Sequence, residues 1–589
     1  MKYFFSLLLL MVFFSWQLPV NGEWRNKVDP AVMATLEEGK SLEFIVLMKE
    51  QADVSSASLL PDKEMKGSMV YKMLKEIATK TQKNALSLLN NSGATHHPFY
   101  IVNAIYAKGE MDLVQELAQL NEVAQIQPNP WVKLDEPEYR GNYQGNARSL
   151  TWGLSKTGAD QVWDLGYRGQ GVVVAGQDTG TEWEHPAIRN KYRGWNGTEA
   201  NHAYNWHDAI REISPLHNDD TIAASNNPCG LDIMVPCDDH SHGTHIIGTM
   251  VGDDGQGNQI GLAPDAKWMA CRNMERGWGS PASYIECFEF FLAPTDLAGN
   301  NPDPAQSPHV INNSWGCPPS EGCNAGNFET METVVNNLKT AGIVVVVSAG
   351  NSGGGGCGTV NSPAAIFENS FTVGAVSSND TMANFSSRGV VTVDGSQRVK
   401  PNISAPGVGV RSSVRGGGYA TWNGTSMAGP HVAGLVALII SANPALAGQV
   451  DLIEQIIEET AEEAYSRFTC GDVPSDQFPN AIAGHGQINA LAAIEKALVL
   501  SNNNEPFGAD NLTVFPNPTN GNLTIDMDTL QGPAKLEWFN SAGQLVGSEN
   551  WEATRHSLKT LDLSPLTTGI YWYRLSVGKR LFSGKVIKE

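Results

Sequence analysis

Basic residues are scarce in this chain. Lys and Arg number 40 against 62 Asp and Glu in 589 residues, a net charge of −22. A surface this acidic repels phosphate backbones, which removes nucleic acid as a first partner. Charged residues are only 17% and apolar residues 41%, which excludes a mostly disordered or coiled-coil chain. The eight cysteines contain no Cys-x-x-Cys, so the zinc-ribbon pattern is missing. Internal repeats are absent as well. After the first 22 residues no stretch reads as long and apolar enough for a bilayer, which takes about 20 residues, so no stable membrane span is expected. What remains is a globular chain long enough for about three to four domains.

The N-terminus sets the compartment. Lys2 precedes an apolar run from Tyr3 to Trp16, which ends in Leu18-Pro19-Val20-Asn21-Gly22. This reads as a secretory signal peptide over residues 1–22, with an uncleaved anchor as the alternative. All eight cysteines lie between 229 and 470, and an even count in an exported protein points to disulfides. Cys229/Cys237 and Cys317/Cys323 flank Pro- or Gly-containing loops and fit local staples. Spacing alone does not fix the connectivity.

Three regions follow. In 23–140, LEFIVLM (42–48), PFYIVNAIYA (98–107) and EVAQIQP (122–128) read as strands, separated by helical spacing over 64–90 and 110–120. The order β-α-β-α-β predicts a small α+β, ferredoxin-like module. The polar stretch 136–149, EPEYRGNYQGNARS, has no periodicity and reads as an exposed linker. In 150–500, VVVAG (172–176) and GIVVVVSAG (342–350) are continuous β-branched runs bounded by glycine. Such runs suit parallel strands buried on both faces, and with helical patterns between them they predict an α/β domain with a mostly parallel sheet flanked by helices. After the polar linker SNNNEPFGAD (501–510), the region 505–589 shows short strands separated by turn residues, as in a small β-sandwich.

Chemistry concentrates in three patches. AGQDTG (175–180) places Asp178 at the end of a buried strand, where parallel sheets open onto ligand crevices. Asp-Thr-Gly occurs once, so the aspartic-protease dyad is incomplete, and a turn residue is the other reading. DDHSHGTHIIGTMVG (238–252) carries His240, His242 and His245. It reads either as a metallohydrolase-like cluster, although Thr244 stands where Asp normally precedes the last His, or as a helix with one histidine at its mouth. GGGYATWNGTSMAGPHVAGLVALI (416–439) leads through glycines to Ser426 at the start of an Ala-rich helix. A serine there caps the helix, or it is a nucleophile served by the unpaired N–H groups and the dipole of the first turn.

Together, in the order Asp, His, Ser, the patches resemble the subtilisin-like serine proteases. The resemblance covers 152–500. DTGTEWEHPAIRNKYRGWN, GTMVG, NQIGLAP, FFLAPTD and VINNSWG resemble the bacillopeptidase F-like branch in particular. It implies Asp178 as orienting acid, His242 as base, Ser426 as nucleophile and Asn351 of SAGNSG as oxyanion-hole donor. Ser314, Trp315 and Gly316 of NNSWG correspond to the strand that pairs with the substrate backbone. Two features depart from the pattern: Ser241 stands where glycine is usual, and the cysteines have no counterpart. The resemblance makes 23–140 an inhibitor-like propeptide. VFPNPTNGNLTI, GIYWYRL and GKVIKE make 505–589 similar to the sorting domain of the type IX secretion system, whose machinery becomes a partner; a plain binding sandwich is the alternative.

The physical account agrees. A serine hydroxyl is a poor nucleophile at neutral pH and needs a base, and imidazole is the side chain suited to that pH. The expected function is therefore a secreted serine endopeptidase made as a self-processing zymogen, acting on protein or peptide substrates. A silent scaffold of the same fold and a metallohydrolase are the rivals. Its chemistry requires no metal or other cofactor. For the loop residues Asp219, Asp220, Asp253 and Asp254, structural calcium and plain solvated surface both remain open.

Overall fold

The computed structural model describes residues 23–142, 150–217, 227–502, 513–526, 531–540, 544–554, 558–577 and 580–589. The signal-peptide segment, the rest of the 136–149 stretch and Asp219 and Asp220 lie outside them.

The N-terminal module is a four-stranded antiparallel sheet in the order His96–Phe99, Ala104–Gly109, Leu42–Met48, Val123–Pro128. Alternation along a strand gives the sheet two faces. Phe44, Val46 and Met48 pack with Leu89, Val114 and Leu117 of the helices Lys83–Ser92 and Met111–Gln119. Ile45 faces the other way and joins the core formed with Ile285 and Phe288 of the next domain. Two expectations shift here. The run 98–107 is not one strand but a hairpin, because Tyr100–Asn103 form a turn. Its apolar residues are buried by docking: Glu289 accepts the N–H groups of Tyr100 (2.5 Å) and Ile101 (2.9 Å). The predicted helix 64–90 is two helices, Lys63–Thr81 and Lys83–Ser92. They join at buried Gln82, whose amide is spent on the Phe99 carbonyl (2.8 Å) and Asn103 (2.9 Å).

The second domain carries a seven-stranded, wholly parallel sheet. Its order is Ile403–Pro406, Phe371–Val376, Val344–Ser348, Val310–Asn313, Val173–Asp178, Lys267–Arg272, Trp206–Asp208. Val174, Val310 and Val346 face the helices His242–Val251 and Thr425–Ala442. Ala175, Ile311 and Val345 face the helices Pro281–Leu292 and Ala325–Thr340. Both faces are covered, which is why the strands read as unbroken apolar runs.

The helix Thr425–Ala442 corrects the expectation about membrane spans. Its 18 residues are long and apolar enough to cross a bilayer by length and composition, yet it is buried in the centre of this domain. Pro430 lies inside it. Proline has no N–H to give residue i−4, and the Ser426 carbonyl accepts from the Ser314 hydroxyl instead (3.3 Å).

The C-terminal region consists of two antiparallel sheets. One holds Thr513–Phe515, Asn522–Asp526 and Leu558–Asp562; the other holds Leu545–Ala553, Gly532–Phe539, Gly569–Val577 and Arg580–Lys588. Leu523, Ile525 and Leu561 of the first share a core with Leu536, Tyr573, Leu575 and Val586 of the second, which is the sandwich arrangement expected.

All eight cysteines are paired: Cys229–Cys237, Cys271–Cys287, Cys317–Cys323 and Cys357–Cys470. The two local staples are among them.

Candidate active site

Asp178 ends the central strand Val173–Asp178 and is 3% exposed; His242 opens the helix His242–Val251 and is fully buried. The His242 Nδ1–H donates to Asp178 Oδ1 at 2.7 Å, and the same oxygen accepts the Thr179 N–H at 2.8 Å. A carboxylate only accepts, so Nδ1 carries the proton and Nε2 is the basic nitrogen. That Nε2 is buried and has no hydrogen-bond partner.

The close approach of strand and helix requires two motif glycines. A Cβ at Gly243 would collide with the Gly180 carbonyl, and one at Gly180, whose φ is +103°, would collide with the Cys237 carbonyl. Asp238, not singled out from sequence, holds the junction together. Its Oδ1 accepts the N–H groups of His240 and Ser241 (2.8 Å each) and the Thr179 hydroxyl (2.9 Å), and its Oδ2 accepts Thr244 N–H (3.0 Å) and Oγ1 (2.6 Å). Neighbouring Asp239 pairs with buried Arg272, which also reaches Asp208 at 3.1 Å.

The three histidines of the patch have separate partners. His240 contacts Glu136 (3.3 Å). His245 stacks on Trp422 with ring centroids 4.5 Å apart and contacts the Val410 carbonyl (3.2 Å). Burial pushes the His245 imidazole down to about 3, so it is neutral. Among the described residues, no group of three or more His, Cys, Asp or Glu is placed to hold a metal ion. Asp253 accepts the Gly255 N–H (2.9 Å) and lies 3.6 Å from Arg168, and Asp254 accepts Gln256 N–H (2.8 Å) and Asn258 Nδ2 (2.6 Å).

Ser426 is the second residue of the central helix Thr425–Ala442, and that helix packs against the helix of His242. Trp422, four residues earlier, stacks over the His242 ring at 6.2 Å. The His242 Nε2–Ser426 Oγ hydrogen bond is not formed; such bonds often tighten only when substrate binds. Ser426 lines a cavity of about 430 Å³ together with Ser314, Trp315, Gly316, Asn351 and residues 361–363. Asn351 is oriented by its Oδ1, which accepts Thr425 N–H (2.8 Å) and Oγ1 (3.0 Å), leaving Nδ2 to donate. Ser314 bridges Asn312 Nδ2 (2.9 Å) and the Ser426 carbonyl. The Trp315 side chain turns away and stacks on Tyr284 at 3.9 Å, so only its backbone is available to a ligand.

Residues 133–136 line this cleft, and the chain is paired on either side of it. Val132 and Lys133 pair antiparallel with Gly279 and Trp278, and the Leu134 N–H donates to the Gly277 carbonyl at 2.7 Å. Asp135 Oδ2 accepts the Asn351 backbone N–H at 3.0 Å. Burial pushes the Asp135 carboxyl up, while the hydrogen bond with His240 holds Glu136 below the usual carboxylate range. Beyond, Glu138 and Tyr139 pair with Asn423 and Trp422. Thus 138–142, expected as exposed linker, is a strand, because an edge just before Ser426 offers its polar backbone partners. Tertiary pairing of this kind leaves no trace in local periodicity.

Comparison with known proteins agrees with this geometry. Residues 169–486 match the model of the Subtilase family, and residues 513–589 match the Secretion system C-terminal sorting domain. The chain is 34% identical to Bacillopeptidase F of Bacillus subtilis over 503 residues, covering 80% of this chain but 32% of that relative. It is 30% identical to Subtilisin E of Bacillus subtilis over 354 residues (60% of this chain, 74% of the relative). It is 32% identical to Subtilisin Savinase of Lederbergia lenta over 299 residues (51% and 87%). The chain therefore spans about a third of the length of Bacillopeptidase F. The sorting domain makes it a secreted or cell-surface protein.

Proposed function

The chain belongs to the subtilase family, and from that membership we propose that it is a serine endopeptidase built on Asp178, His242 and Ser426, held as a zymogen by its own N-terminal module. The observation that carries the reading is the Asp178–His242 pair with its free Nε2, beside the cleft where Ser426 and Asn351 lie. Nε2 accepts the Ser426 proton as Oγ attacks the substrate carbonyl. Asp178 keeps the imidazole in its tautomer and stabilises the imidazolium. The Asn351 amide and the Ser426 N–H, unpaired in the helix's first turn, hold the oxyanion. Nucleophile, base and acid are all side chains, so this chemistry involves no cofactor. Substrate backbone would lie along Gly277–Gly279 and Ser314–Gly316, and residues 132–136 occupy that path, which supports an intramolecular inhibitor. The division into a propeptide (23–140), a peptidase domain (150–500) and a sorting domain (505–589) follows.

A fluorophosphonate probe tests the assignment. The processed protein is expected to label and to hydrolyse peptides, and Ser426→Ala to abolish both. Labelling that survives the substitution, or activity removed only by a chelator, would refute the reading in favour of a silent scaffold or a metallohydrolase.

A further inference from the structure

We propose that the chain's self-processing bond is Asp135–Glu136, an inference that rests on the endopeptidase reading above. The register of the tail is fixed on both sides of the nucleophile. Upstream, Val132 and Lys133 lie opposite Gly279 and Trp278, and the Leu134 N–H is bonded to the Gly277 carbonyl at 2.7 Å. Downstream, Glu138 lies opposite Asn423, three residues before Ser426, and the Asn423 amide donates to the Glu138 carboxylate at 2.6 Å. Only Asp135, Glu136 and Pro137 span the interval.

Their side chains separate the two walls of the cleft. Asp135 is held by the Asn351 N–H at 3.0 Å, on the wall that carries the oxyanion donors. Glu136 contacts His240 at 3.3 Å, whose ring lies 6.4 Å from that of His242, on the wall that carries the base. Acyl transfer needs the carbonyl on the first wall and the leaving nitrogen on the second, since the base returns its proton to that nitrogen. The bond that joins the two walls is Asp135–Glu136. The next bond, Glu136–Pro137, presents a ring nitrogen without an N–H.

In the step, Ser426 Oγ bonds to the Asp135 carbonyl carbon and its proton passes to His242 Nε2. The C–N bond to Glu136 breaks and the nitrogen takes that proton. Water, giving a proton to His242 Nε2, then adds to the acyl carbon; the bond from that carbon to Ser426 Oγ breaks, Oγ takes the proton from His242, and Asp135 is left as a new C-terminus. The cut falls before the polar stretch 136–149, at its first residue.

The test follows the full chain during maturation by intact mass and N-terminal sequencing at early times, with fluorophosphonate labelling of the same sample. The expected first products are a fragment ending at Asp135 and one beginning Glu136-Pro137-Glu138. Glu136→Pro is expected to slow the first cut at least tenfold. First products ending at Glu136 or within 143–149, or a Glu136→Pro chain processed at the wild-type rate, would overturn the bond assignment; if that chain still labels, the endopeptidase reading stands. A Ser426→Ala chain cut at 135–136 on its own would instead overturn self-processing and the reading beneath it.

Discussion

Ser241 occupies a backbone position with φ 97°, a region that favours glycine. A side chain there carries backbone strain of about 1–3 kcal/mol, partly offset because glycine loses more freedom on folding. Ser241→Gly is therefore expected to raise unfolding free energy by about 1 kcal/mol in denaturant titration, with peptide hydrolysis unchanged. Asn351 is expected to behave oppositely. With its Oδ1 fixed by Thr425, Asn351→Ala should lower kcat by about 10²–10³ with little change in KM, a magnitude carried over from the corresponding donor in subtilisin. At this scale the proposed site residues Asp178, His242, Ser426 and Asn351 stand out in the sequence because each sits in a short motif, and beside Asp178 and His242 the motif glycines Gly180 and Gly243 are forced by contact. Asp238 was not legible. Its work is to accept hydrogen bonds from the surrounding loops, and in sequence it is one more acidic residue in a chain rich in them.

Among the elements, the docking turn Tyr100–Asn103 and the helix Pro281–Leu292 meet at Glu289. Burial pushes its carboxyl up to about 8, against the N–H donors of Ile101 and Tyr100 and the charge of Lys75. A carboxyl raised in the docked state favours docking in its protonated form. That contribution is complete below the ordinary carboxyl value of about 4.3 and is lost as pH rises toward about 8. Glu289→Gln keeps an oxygen for the two N–H groups and removes the titration. The affinity of the released module for the wild-type domain, relative to the Gln variant, should therefore fall between pH 5 and pH 8, read as a ratio of inhibition constants. A ratio flat with pH would show that Glu289 stays ionised when docked. The strands buried on both faces were readable from their apolar runs. The 98–107 hairpin and strand 138–142 were not, because docking buries the turn of one and pairs the polar backbone of the other.

For the whole molecule, the three-part architecture followed from composition changes near 136–149 and 501–510, while its long-range ties did not. Cys357 and Cys470, 113 residues apart, form a bond no spacing rule selects. On loop-closure entropy it should stabilise the fold by about 5 kcal/mol, against about 2 kcal/mol for the six-residue separation of Cys317 and Cys323. Replacing Cys357 and Cys470 together by serine should thus lower the denaturation midpoint more than replacing Cys317 and Cys323. Equal losses would show that the unfolded chain is not what these bonds constrain.

Ser426, the nucleophile of the proposed reading, rides on the first turn of a helix that is also the centre of the hydrophobic core. On that reading a half-made copy is chemically harmless: until the interior has closed around Thr425–Ala442, no catalyst exists to damage its neighbours. Loss of hydrolysis on heating should for the same reason coincide with melting of the domain rather than precede it.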